Sequence, residues 1–140
     1  MAGEQSSDTT TGGGIIEVST ENLTTTTRDP AAAGRPIETW LATKLPKRAD
    51  PGVVAVEKPE GNGMSSETLL FTARWTIEER PIERGFVARI EPEPGNVPVF
   101  PTYDLRLQYD VMALVGDATD APVPEVLWYE PDGGVIGAPF

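Results

Sequence analysis

The sequence predicts an α+β fold: an antiparallel sheet of about five strands with one helix packed on it, preceded by an N-terminal helix and a disordered leader. Three observations point there. Apolar residues recur at helical spacing near residues 37–45 and 103–115. They form five short alternating or continuous runs bounded by Gly and Pro. The resulting order is helix, three strands, helix, two strands, with no internal repeat. At 140 residues the chain is the size of one domain.

Residues 1–33 read as the leader. Gly12-Gly13-Gly14, Thr9-Thr10-Thr11 and Thr24-Thr25-Thr26-Thr27 crowd a segment without aromatic residues, where Glu4, Asp8, Glu17, Glu21 and Asp29 face the single base Arg28. Such a segment buries too little apolar surface to offset its ordering entropy. Ile15-Ile16-Glu17-Val18 is open to reading as a transient strand or docking peptide, and the threonine run as a phosphoacceptor cluster or a solvated tail.

Folding is expected to begin near Gly34, in a unit spanning 34–140. Ile37, Trp40, Leu41 and Leu45 share one helical face, which Pro46 ends. Val53 to Lys58 is a strand, Glu60-Gly61-Asn62-Gly63 a turn, and Leu69 to Trp75 a second strand with Leu69, Phe71, Ala73 and Trp75 on one face. Glu78-Glu79-Arg80-Pro81 reads as a loop and Phe86 to Ile90 as a third strand. From Tyr103 to Val115, Leu105, Leu107, Val111, Met112, Leu114 and Val115 fill one broad half of a helix, with Gln108 in the middle of the arc. Gly116 and Asp117 are expected to stop it. Val126 to Glu130 is a fourth strand, Pro131-Asp132-Gly133-Gly134 a turn, and Val135 to Phe140 a fifth strand.

Composition removes whole classes of chemistry. The chain has no Cys and no His, hence no disulfide, thiol nucleophile, Cys-ligated zinc, His-based triad or imidazole acid/base. Its 22 acidic and 11 basic side chains leave a net charge of -11, which argues against nucleic acid and anionic membrane surfaces as partners. No apolar run is long enough to span a bilayer, and the start lacks the pattern of a secretory signal, so a cytoplasmic protein is expected.

Few residues are left to carry chemistry. Gly61-Asn62-Gly63-Met64-Ser65-Ser66 joins two strands, where glycines let backbone N–H groups fold over phosphates. It also fits an ordinary hairpin, and it matches neither a Walker A loop nor a dinucleotide fingerprint. Arg89 sits mid-strand among apolar residues. It either meets Gln108 across the sheet–helix interface, or it faces solvent while Gln108 lies at an edge. Glu78, Glu79, Glu83, Glu91 and Glu93 lie in Pro-rich loops without metal-ligand spacing and read as a solvated charged surface. Trp40, Trp75 and Trp128 fall within apolar patterns and read as core.

Taken together, the glycine-rich hairpin, the strand with a mid-strand cation and the helix with an inward polar residue match the plan of a protein-kinase-like N-terminal lobe. In detail the chain resembles the aminoglycoside phosphotransferase/choline-kinase-like family over roughly residues 36–140. The resemblance rests on Gly61 to Thr68, Phe86 to Ile90, Phe100 to Leu105, Ala121 to Tyr129 and Val135 to Phe140, the last two being the most specific. It implies that Gly61, Gly63, Ser65 and Ser66 cover nucleotide phosphates. Arg89 would stand at the phosphate-orienting cation and Gln108 at its helix partner, departing from the stricter Lys and Glu.

The resemblance further implies ATP with Mg²⁺, and a helical C-terminal lobe holding the catalytic loop and metal ligands. That lobe is the expected partner, and no catalytic residue is expected in these 140 residues, so phosphotransfer activity is not expected of them alone. The surface around Val135 to Phe140 is expected to be apolar and under-covered. Relatives of this subgroup resemble kinase-like domains that precede acyl-CoA dehydrogenase domains, but no residue here supports flavin or acyl-CoA chemistry. Two other functions stay open: a non-catalytic kinase-like binding module, and a free-standing β-rich interaction domain.

Overall fold

The computed structural model describes residues 28–59, 66–92 and 102–140. They form a small α+β domain with one three-stranded antiparallel sheet and two helices. Helix α1, Pro30–Lys44, starts where Asp29 caps it, its carboxylate accepting from the Ala31 N–H at 3.0 Å. Pro30 at the first turn needs no N–H and presets the helical φ. This Asp-Pro start moves the helix ahead of Gly34, so Pro30 to Ala33, expected in the leader, are helical and Ala33 is buried. Residues 1–27 of the leader lie outside the described residues. Leu45 caps the far end, and Pro46 follows.

Strands β1 (Gly52–Glu57), β2 (Glu67–Ile77) and β3 (Arg80–Ile90) form a meander in the order β1-β2-β3. The expected alternation holds: Leu69, Phe71, Ala73 and Trp75 are buried, while Leu70 and Arg74 are exposed. Ile37 and Leu41 of α1 belong with these residues to one core cluster. Glu78 to Pro81 is a tight turn rather than a loop. Ile77 pairs with Arg80, leaving only Glu78 and Glu79 between the strands, both at positive φ (49° and 65°). Long-range strand pairing overrode the local preference of these charged residues.

The sheet has three strands, not five. Val126 to Glu130 and Val135 to Phe140 form no strands among the described residues. Their ladder is reduced to two backbone bonds exchanged by Glu130 and Phe140 (2.7 and 3.0 Å) and one from the Glu91 N–H to the Pro139 carbonyl (3.0 Å). Prolines 122, 124, 131 and 139 each lack the N–H that a ladder needs. The Gly137 N–H is spent on a tight turn to the Gly133 carbonyl.

These segments nevertheless close the core. Trp40 packs edge-on against Trp128 at 5.5 Å between ring centroids and lies 4.8 Å from Phe140. Ile136, Ala138 and Phe140 are buried, which corrects the expectation of an under-covered surface there.

Helix α2, Leu105–Ala118, is capped by Asp104, which accepts from the Leu107 N–H at 2.8 Å. It runs through Gly116 and Asp117 to a cap at Thr119. One glycine costs a helix only about 1 kcal/mol against alanine, too little to end it. The expected packing of this helix on the sheet is also not seen. Of its residues only Leu105 is buried, while Leu107, Val111 and Leu114 are 58%, 49% and 67% exposed. The chain at 124–129 stands beside it instead: Tyr109 lies 6.0 Å from Tyr129, and the Arg106 guanidinium sits 5.3 Å over the Tyr129 ring.

Candidate functional site

Strand alternation gives the sheet a face turned away from the core. On it Thr68, Leu70 and Thr72 of β2 pair with Arg89, Val87 and Gly85 of β3. A shallow recess of about 360 Å³ on this side is lined by Ala55, Leu70, Thr72, Gly85 and Val87. Arg89 therefore lies on the outer side of its strand and is exposed.

Arg89 is nonetheless held. Its Nη2 donates to the Ser66 hydroxyl oxygen at 2.8 Å, and Ser66, immediately before β2, is buried. A cleft of about 580 Å³ opens along β3 between that strand, α2 and residues 124–129. Arg89, Thr68 and Gln108 supply polar groups to its wall, and Phe86, Tyr109 and Trp128 supply aromatic ones. Gln108 is half-buried and shares the cleft with Arg89 without hydrogen bonding to it, because α2 stands off the sheet. Of the expected site residues, Ser66 and Arg89 meet, and Gln108 faces the same space. Gly61, Gly63 and Ser65 lie outside the described residues.

Two charged constellations were not anticipated. Glu67 is fully buried on the core side of β2, and its Oε2 accepts from the Arg28 Nε at 2.9 Å. The signal was present in the alternation, since position 67 shares the parity of Leu69 and Phe71. A carboxylate there demands a cation.

The second is Glu130. Its Oε1 accepts from the Asp132 N–H at 3.0 Å, and its Oε2 accepts from the Trp40 Nε1 at 2.8 Å with Lys44 Nζ at 3.2 Å. The Asp132 N–H, then Trp40 and Lys44, hold this carboxyl below the usual glutamate range against the opposing effect of burial.

Arg89 and the Ser66 hydroxyl fit a phosphate oxygen. Among the described residues no group of three or more Asp or Glu side chains is arranged to hold a metal. Glu83 is taken up by Arg74. No helix among the described residues is long and apolar enough to cross a membrane. No family model matches the chain.

Proposed function

We propose that this chain is the nucleotide-binding lobe of an ATP-dependent small-molecule phosphotransferase of the aminoglycoside phosphotransferase/choline-kinase-like kind, working in the cytoplasm. One observation carries the reading: the Arg89 guanidinium, on the open face of the sheet, is tethered at 2.8 Å to Ser66, the residue that follows the Gly61-to-Ser65 stretch. A planar guanidinium with N–H groups to spare is the side chain best shaped to grip phosphate oxygens in pairs. The nucleotide would arrive with its own Mg²⁺. Base and metal ligands would come from a second lobe, so these 140 residues would bind nucleotide without transferring phosphate.

The test is titration calorimetry of the chain with MgATP, comparing wild type with Arg89→Ala. Loss of a charge-assisted contact worth about 1.5–3 kcal/mol predicts affinity falling by roughly one to two orders of magnitude. Equal affinities would remove the phosphate role from Arg89. A second reading, a non-catalytic binding module, is favoured by Arg89 bonding to a neutral Ser66 rather than to a residue of α2. Phosphate release from MgATP by wild type joined to a second lobe decides between them.

A further inference from the structure

A buried ion pair ties the chain ahead of α1 to the root of the glycine-rich stretch. Glu67 is 0% exposed and the Arg28 side chain 12%, with Arg28 Nε and Glu67 Oε2 2.9 Å apart. The second oxygen, Oε1, is buried with no hydrogen-bond partner among the described residues. Arg28 is wedged in from the other side. Gly137 has a φ of +92°, a conformation that favours glycine, and a Cβ on it would lie 2.8 Å from the Arg28 Nη1, so a side chain there would have to push the guanidinium aside.

Three segments distant in sequence therefore converge on one charge pair. Burying both charges is a poor route to stability, because desolvation offsets much of their attraction. What the pair does supply is position. Glu67 is covalently next to Ser66, and Ser66 holds Arg89; Thr68, one residue further, is the strand partner of Arg89.

We propose that Arg28 and Glu67 are positioning residues: their pairing fixes the backbone at 66–68 and so aims the Arg89 guanidinium at the phosphate of a bound nucleotide. The ligand part of this inference rests on the proposed nucleotide-binding reading; the positioning of Ser66 and Arg89 does not. In the free protein, fixed positioning gives Arg89 a single, narrow Nε–Hε signal in two-dimensional nitrogen–proton spectra. Arg28→Met/Glu67→Leu removes both charges while keeping their bulk, and Glu67→Gln keeps the acceptor for Arg28.

The double variant is expected to stay folded. Its Arg89 signal should broaden or move, and its MgATP affinity should fall at least tenfold, whereas Glu67→Gln should retain most of both. A folded double variant with an unmoved Arg89 signal would overturn the proposal. If the double variant does not fold, Glu67→Asp takes its place, because the shorter side chain withdraws the carboxylate from Arg28 by one methylene. An unmoved Arg89 signal in that variant overturns the proposal equally, and a displaced one supports it. Should wild type bind no MgATP, the nucleotide reading fails, and the Arg89 signal still decides whether the pair positions that side chain.

Discussion

Glu130 joins three parts of the molecule through one carboxylate: the turn at Asp132, the indole of Trp40 and the ammonium of Lys44. Its pKa is held below the usual value, so the folded state binds this proton less readily than the unfolded chain. The stabilisation is therefore present above the ordinary glutamate pKa of about 4.3 and is lost as pH falls through the lowered folded value. Urea midpoints measured from pH 6 downward should fall through that window for wild type and less steeply for Glu130→Gln. At neutral pH the same substitution is expected to cost about 1.5–3 kcal/mol, as for other hydrogen bonds to a charged group. Parallel curves would show that Glu130 carries no such linkage. Trp40 was legible as core from its helical spacing, but its partner, 90 residues away, was not. Local periodicity places a side chain on a face without naming what it meets there.

Among the elements, the β2–β3 hairpin runs against its own turn chemistry. A two-residue connection favours Asn-Gly, because both positions take positive φ, which costs ordinary side chains about 1–2 kcal/mol each. Glu78 and Glu79 occupy those positions at 49° and 65°. Replacing them by Glu78→Asn and Glu79→Gly should stabilise the domain by about 1–2 kcal/mol in chemical denaturation. An unchanged or lower midpoint would show that the turn does not hold this conformation in solution. The charges made this stretch read as a loop, yet the register runs unbroken from Glu67↔Ile90 to Ile77↔Arg80. Two strands of 11 residues gain more from pairing than two glutamates lose at the tip. Pro81 fits because its missing N–H falls in β3, at the edge of the sheet.

At the scale of the whole molecule, an exposed apolar stripe runs along α2, while Ile136, Ala138 and Phe140 at the last residues are buried. Leu107, Val111 and Leu114 follow one another at helical spacing along its open side. Contiguous apolar stripes of this kind promote association. Leu107→Lys with Leu114→Lys is expected to reduce concentration-dependent self-association in sedimentation velocity. Each change should alter unfolding free energy by no more than about 0.5 kcal/mol, as at other surface sites. A large loss of stability would mean that these leucines are covered in solution.

By itself the sequence determined the α+β class, the first helix, the three-strand meander and which face of β2 is buried. Each of these rests on a period of 2 or 3.6 residues, written locally in the order of apolar side chains. Only the tertiary structure decided how many strands the sheet has, how far α2 stands from it, and which charges meet. Those outcomes depend on long-range competition. Prolines deny the last segments a ladder, aromatic side chains from 124–129 stand beside α2, and Glu67 takes as its partner an arginine 39 residues earlier in the chain. No local period encodes such a pairing, because it exists only once burial has made an unpaired charge too costly to leave alone.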